Sequence, residues 1–318
     1  MTAFAGLHRR GEPLLLPCAW DHASALALAG QGFRAIGTTS LGVAAASGLP
    51  DGASATRDET LRLAAGLGSA PFLLSVDAED GFSDDPDEVG ELARLLAAAG
   101  AAGINLEDAL GPADRHAAKI AAVRSAAPGL FVNARTDTYW LREGEGEGEG
   151  EGEGEGGGEG DTGGEGRAAE TVRRLEAYRE AGAHGVFVPG LTDPGRIAAL
   201  AAHFDVPLNV LYSPTGPSLP HLADLGVSRV SLGSLLYRRA LGAGLQAAAD
   251  IGAGRSPGGA TPAYDEVRAL SRPDLGRTTP DSGSSLSGLA GAGREAIGER
   301  DDEVAQFVGA FDDERPVE

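Results

Sequence analysis

A single cysteine, Cys18, in a chain of 318 residues excludes an intramolecular disulfide and any zinc site built from clustered thiolates. That scarcity fits a reducing, cytoplasmic setting. No stretch approaches the ~20 apolar residues that span a bilayer. The run Leu14-Leu15-Leu16 behind Arg9 and Arg10 is bracketed too tightly by Pro13 and Pro17 to be the core of a signal peptide. Bases are also short, 26 against 47 acids, for a formal charge of −21. Residues 143–166 hold ten acids and no base, and residues 281–318 ten acids and three bases, which leaves −4 for everything else. The folded body is therefore near neutral. With no basic patch to neutralise phosphates, neither a nucleic acid nor a membrane is an expected partner. There is no P-loop, no G-x-S-x-G elbow and no dinucleotide fingerprint. His8, His22, His116, His184, His203 and His221 show no metal-ligand spacing and read as surface or packing residues.

What the chain does have is alternation. Short apolar runs at 14–18, 34–38, 71–77, 102–106, 129–134, 184–188, 206–211 and 228–232 are each followed by an Ala- and Leu-rich segment long enough for a crossover helix, near 22–31, 55–67, 87–99, 113–126, 167–181, 193–203, 218–225 and 234–249. Eight such units, with 42% hydrophobic residues to fill a core, predict an α/β fold of the closed (β/α)8, TIM-barrel type over residues 1–252. Asp21 and Asp193 are placed as N-caps, Pro86 and Pro194 fall in first helical turns, and Gly100 and Gly182 follow helix ends. Residues 143–156 are seven Glu-Gly dipeptides, extended by a glycine-rich acidic run to Gly166, and nothing in 143–166 can build a core. This segment is expected to be a disordered insert leaving the C-terminal rim. Residues 253–318 are expected to be a mobile tail, with short helices near 262–271 and 293–310.

In such a barrel the chemistry sits where strands end. Those positions here are Trp20-Asp21, Thr38-Thr39-Ser40, Asp77-Ala78-Glu79, Glu107-Asp108, Arg135-Thr136-Asp137, Pro189-Gly190, Tyr212-Ser213 and Gly233-Ser234. Asp77 and Glu79 emerge on one side of an extended chain, a pair that suits a hard divalent cation. The plainer reading makes Asp77, Glu79 and Asp80 a solvated turn, Glu107 and Asp108 helix-entry charges, and Arg135 a partner for Asp137 or Asp77. Four charges at one rim, Asp77, Glu79, Glu107 and Arg135, favour a metal and anion site instead. Two residues below them Ser75, Asn105 and Asn133 are expected to form a hydrogen-bonded floor.

Six segments in order, Pro17-Cys-Ala-Trp-Asp-His-Ala-Ser-Ala, Ala35-Ile-Gly-Thr-Thr-Ser-Leu-Gly, Gly48-Leu-Pro-Asp-Gly, Val76-Asp-Ala-Glu-Asp-Gly-Phe, Gly103-Ile-Asn-Leu-Glu-Asp and Val132-Asn-Ala-Arg-Thr-Asp, resemble the phosphoenolpyruvate mutase / isocitrate lyase superfamily across residues 4–250. The resemblance implies Mg²⁺, or Mn²⁺, held by Asp77, Glu79 and Glu107, largely through water. It implies a small carboxylate substrate gripped by the loop at Thr39, Ser40 and Leu41, beside Trp20 at the end of the first strand. Arg135 would neutralise substrate charge, Asp51 would be an acid on a nearby loop, and the protein would be a homo-oligomer, tetramer or dimer. The lyase branch of that family carries Lys-Lys-Cys-Gly-His after the fourth strand, where this chain has Glu107-Asp108-Ala109-Leu110-Gly111-Pro112. The expected activity is a Mg²⁺-dependent lyase acting on a small oxo- or hydroxy-carboxylate through an enolate. The alternatives are a P–C bond enzyme of the phosphonopyruvate hydrolase kind and a non-catalytic ligand-binding barrel.

Overall fold

The computed structural model describes residues 2–141 and 162–270. Its strands are β1 (Leu14–Leu16), β2 (Cys18–Ala19), β3 (Ala35–Thr38), β4 (Leu73–Asp77), β5 (Ala101–Glu107), β6 (Phe131–Arg135), β7 (Gly185–Val188), β8 (Leu208–Leu211) and β9 (Arg229–Ser231). The helices are α1 (His22–Gly30), α2 (Ser40–Ser47), α3 (Arg57–Leu67), α4 (Pro86–Ala98), α5 (Ala113–Ala126), α6 (Thr162–Glu180), α7 (Pro194–His203), α8 (Leu219–Asp224), α9 (Leu235–Gly252) and α10 (Tyr264–Ala269). All pairings are parallel, in the order β1-β9-β8-β7-β6-β5-β4-β3-β2. This is the predicted TIM-type barrel, with all eight predicted strands present.

The ninth strand arises because the first predicted strand is split at Pro17. Leu16 O accepts from Leu232 N (3.0 Å) on one flank, and Pro17 O accepts from Gly37 N (2.8 Å) on the other. Proline has no N–H to donate, so the ladder breaks there while the chain still bridges both edges of the sheet and nearly closes it. The strands are largely apolar and buried because both faces are covered, as parallel sheets require, with polar residues such as Ser75, Asn105, Asn133 and Arg229 facing inward between them. Helix entries follow the predicted punctuation. Asp21 accepts from Ser24 N (2.7 Å) and Asp193 from Arg196 N (2.7 Å), with Pro86 and Pro194 in first turns. Helix α2 was not anticipated: residues 40–47 were expected to begin as a loop. Helix α6 begins at Thr162, within the Gly-rich acidic run. The remainder of that run and the helix expected near 293–310 lie outside the described residues. Among the described residues no helix is long and apolar enough to cross a membrane.

At the N-terminal end Phe4 is 1% exposed and plugs the barrel against Phe131, edge to face at 5.5 Å. Gly103 makes room for that ring, since a Cβ there would come within 2.7 Å of Phe4. At the α3 end, Gly68 and Gly100 touch backbone to backbone. A Cβ on Gly68 would lie 1.4 Å from the Ala99 carbonyl oxygen although its φ of −66° is ordinary. Gly68→Ala should therefore lower stability by about 2–3 kcal/mol through forced displacement. Gly66→Ala, inside α3 with only an ordinary contact at 3.9 Å, should raise it by about 0.5–1 kcal/mol. Urea unfolding of both variants checks the opposite signs.

Candidate active site at the C-terminal rim

Strand β4 delivers Asp77, whose N–H donates to Thr38 Oγ1 (2.8 Å) and whose Oδ2 accepts the Ser40 N–H (3.1 Å) at the start of α2. The chain then turns sharply, with Glu79, Gly81 and Phe82 at positive φ (46°, 94° and 57°). Such backbone is costly for non-glycine residues, and here the surroundings hold it. Glu107 N donates to Glu79 O (2.9 Å), and Lys119, 4% exposed, donates to Asp80 O (2.9 Å). The turn folds the Glu79 side chain inward, 2% exposed. One of its oxygens accepts from the Thr56 hydroxyl, while Oε2 is buried without a partner. Thr56 and Ser54, which donates to Asp80 Oδ1 (3.2 Å), dock the loop that carries Asp51 against Glu79 and Asp80.

Strands β5 and β6 pair Glu107 with Arg135 in register, and Arg135 Nη1 reaches Glu107 Oε2 at 2.5 Å. Its Nε donates to Asp137 Oδ1 (2.6 Å), and the guanidinium lies over the Phe187 ring at 5.9 Å. The plain reading of Arg135 as a partner for Asp137 thus holds, and Glu107 is a second partner. Asp108, read from sequence as a helix-entry charge, is instead the centre of a buried network. It accepts from Thr136 Oγ1 (2.8 Å), Arg174 Nη1 (2.9 Å), Tyr178 OH (2.7 Å), Asp137 N (3.1 Å) and Leu110 N (3.1 Å). Burial works to raise its pKa, but these bonds outweigh burial and hold the carboxylate below its usual range. Of the expected floor, Asn133 donates to Asn105 (2.9 Å), whereas the Ser75 hydroxyl is buried without a partner. Arg229, which sequence reasoning passed over as part of an apolar strand, completes that layer by donating to Asn105 (3.1 Å).

The remaining predicted residues surround the N-terminus of α2. Thr39 is its N-cap residue, Ser40 and Leu41 form the first turn, and Gly42 packs so closely that a Cβ would meet Trp20 at 2.8 Å. Trp20 stands edge-on to Tyr237 at 5.4 Å. The first amides of a helix have no intrahelical acceptors and carry a partial positive charge, so this is ground prepared for an anion. The Ser40 amide, however, is already engaged by Asp77.

The electrostatics show what the cluster lacks. Burial raises the Asp77 pKa, with Arg135 opposing and Asp51 adding to the rise. Burial, with Asp77 and Asp51, brings Glu79 up to about 7 against the pull of Thr56. Glu107 is raised well above the carboxylate range by burial, then by Asp137, Asp77 and Glu79, against Arg135. Burial disfavours the Arg135 charge, but Asp137, Glu107 and Asp77 outweigh it and hold its proton more firmly than usual. Five acids around one arginine leave a local excess of negative charge and an orphaned carboxylate oxygen. Among the described residues no three His, Cys, Asp or Glu side chains converge closely enough to ligate one ion directly. The donor set therefore fits a hard cation that takes one or two carboxylates and reaches the others through water, as Mg²⁺ does. A cavity of about 920 Å³ opens at the opposite end of the barrel beside His8, Phe131 and His184. Its lining holds one acid, Asp205, and none of the clustered carboxylates of the rim.

Comparison with known proteins gives the family and the fold. A family model described as phosphoenolpyruvate phosphomutase matches residues 4–252. An uncharacterised protein of Mycobacterium tuberculosis is 41% identical over 272 residues, 84% of this chain and 95% of its own. The 2-methylisocitrate lyase of Bacillus subtilis is 30% identical over 235 residues, 70% of each chain. Among solved structures, a candidate lyase/mutase of Burkholderia cenocepacia J2315 superposes with a TM-score of 0.69 at 37% identity, covering 86% of this chain and 96% of that one. Phosphonopyruvate hydrolase, solved with oxalate and Mg²⁺, shares the fold with a TM-score of 0.65 at 23% identity, covering 82% and 90%.

The raised Glu79 pKa has a definite sign. A proton held more tightly in the folded than in the unfolded state contributes stability that is complete below about pH 4.5 and lost as pH rises through about 7. Glu79→Gln removes that dependence, so in metal-free buffer the variant should gain on the parent between pH 5 and pH 7. The gain is at most about 1.4 kcal/mol per pH unit. Denaturant melts of both proteins at the two pH values measure it.

Proposed function

The chain belongs to the phosphoenolpyruvate phosphomutase family of enzymes, within the phosphoenolpyruvate mutase / isocitrate lyase superfamily, and on that premise we propose a Mg²⁺-dependent lyase acting on a small oxo- or hydroxy-carboxylate. The observation that carries this reading is the excess of buried carboxylate around Arg135 at the ends of β4, β5 and β6. Asp77 would hold the ion, with Glu79 and Glu107 reached through water. Mn²⁺ suits the same oxygen donors. When bound, the ion supplies Lewis-acid polarisation of the oxygen beside the bond to be broken, stabilising enolate charge.

The chain's own residues do the rest. The Leu41 and Gly42 amides and the Ser40 hydroxyl take the substrate's carboxylate at the positive end of α2. The Ser40 amide instead orients Asp77. Arg135 spends one arm on Glu107 and its Nε on Asp137, and the remaining N–H groups of its fork meet substrate oxygen with fixed geometry. Trp20 and Tyr237 wall the opposite side. When a C–C bond breaks, its electron pair enters the enolate and must be discharged by a proton. Asp51, on the loop docked by Thr56 and Ser54, is the acid available to move that proton, directly or through water. Between Glu107 and Pro112 there is no thiol, and the turn is held by Asp108 with Ala109 and Leu110 at positive φ.

A second reading, P–C bond cleavage, draws on the phosphonopyruvate hydrolase likeness and uses the same cation site. A panel of oxaloacetate, malate-type acids, isocitrate, 2-methylisocitrate and phosphonopyruvate with Mg²⁺ separates the readings. Oxaloacetate or a malate-type acid, whose enolate Asp51 or water protonates, should turn over and isocitrate should not, since no thiol stands between Glu107 and Pro112 to protonate the carbon it releases and such a group contributes ~10²–10⁴-fold. Phosphonopyruvate turnover alone would favour the second reading, and turnover of none would leave the binding-barrel alternative. Arg135→Lys should lower kcat/KM by about 10²-fold or more, because an ammonium cannot serve Glu107, Asp137 and substrate together.

We also propose a cytoplasmic homo-oligomer, dimer or tetramer. Helix α9 buries no residue and exposes Leu241 (53%), Leu245 (65%) and Ile251 (62%), an apolar stripe that a second copy would cover. Light scattering should give a multiple of the 32.1 kDa chain, and Leu245→Glu should shift it toward monomer.

A further inference from the structure

Arg229 is a cation without an anion. It lies on β9, 1% exposed, inside the barrel. Its Nε donates to Ser231 Oγ (2.9 Å) and its Nη2 to Asn105 Oδ1 (3.1 Å), while Nη1 is buried with no partner. Among the described residues no carboxylate forms an ion pair with it. Burial loosens its proton, but only to about 10, so it is charged at neutral pH. A buried, unpaired charge is strongly disfavoured unless a field of opposite sign reaches it. After burial, the Cys18 thiol and then Asp77 act on the Arg229 charge, and Asp77 is the carboxylate of the two; it stands in register with Asn105 on the neighbouring strand, the residue to which Arg229 donates. Asn105 is two residues before Glu107, and its other donor, Asn133, is two residues before Arg135. Arg229 therefore sits below Glu107, bonded to the strand that carries Glu107 and, through Asn105 and Asn133, linked to the strand that carries Arg135.

We propose that Arg229 is a positioning residue for the rim site, a second cation beneath the acid cluster that orients Asn105 and limits how tightly the carboxylates hold a divalent ion. The inference rests on the reading of the rim as a cation site. It predicts an effect opposite in sign to that of a merely structural residue: removing the charge while keeping a hydrogen-bond donor should strengthen ion binding, whereas loosening the barrel would weaken it.

Calorimetry with Mg²⁺ alone, at fixed ionic strength, on the parent, Arg229→Gln and Arg229→Lys tests this, with circular dichroism confirming the fold of each. Arg229→Gln should bind Mg²⁺ about three- to tenfold more tightly, from loss of one charge at this range. Arg229→Lys, which keeps the charge, should stay within about twofold of the parent. Equal or weaker binding by a folded Arg229→Gln would overturn the inference. A measurement on the parent stands apart from variant folding: in protein labelled with ¹⁵N-arginine, the Arg229 Nε resonance, identified by its loss in Arg229→Lys, should move on Mg²⁺ addition. An unmoved resonance would also overturn it. A parent that binds no Mg²⁺ would bring down the cation-site reading as well, whereas binding indifferent to both substitutions would sink this inference alone.

Discussion

The bridge from Glu107 through Arg135 to Asp137 is the interaction on which the rim depends. It joins the ends of two adjacent strands at 2.5 and 2.6 Å, both side chains of the first pair are largely buried, and neither partner can be removed without stranding the other's charge. Its geometry is imposed from below and behind. Register pairs Glu107 with Arg135, and the Asn105–Asn133 bond repeats that pairing one layer down. Asp108, satisfied by five donors including Arg174 and Tyr178 from α6, fixes the backbone at Asp137 that receives Arg135.

Charge then explains why the site needs occupants. One arginine cannot balance Asp51, Asp77, Glu79, Glu107 and Asp137, and burial first, then the neighbouring acids, raise the pKa values of Asp77, Glu79, Glu107 and Asp137. The N-terminus of α2 contributes partial positive charge beside Asp77, and Arg229 contributes a full one through the Asn105 layer. On the proposed reading a divalent cation would relieve the remainder and an anionic substrate would follow it.

Much of this was legible in the sequence. Short apolar runs between helical patterns located all eight strands, because a strand buried on both faces is mostly apolar whatever its partners. Strand ends located Asp77, Glu79, Glu107 and Arg135. Helix α2 was missed because its short Ala- and Gly-rich run has little amphipathic signal. Thr56 and Arg174 were missed because their roles depend on contacts with Glu79, 23 residues away, and Asp108, 66 residues away, and no local pattern encodes such distances. Arg229 was overlooked because one polar residue in an apolar strand cannot declare which face it occupies.

Sequence by itself thus determined the class of fold and the charged residue types gathered at one rim, since these follow from local periodicity and from the one end of a parallel barrel where loops follow the strands. Only the tertiary structure decided which charges pair and which stay unbalanced. Arg135 is committed to two carboxylates, Asp108 serves the scaffold, Glu79 keeps an orphaned oxygen and Arg229 has no counter-ion. Ionisation inside a barrel is set by burial and by neighbours distant in sequence, and those quantities exist only once the chain has closed.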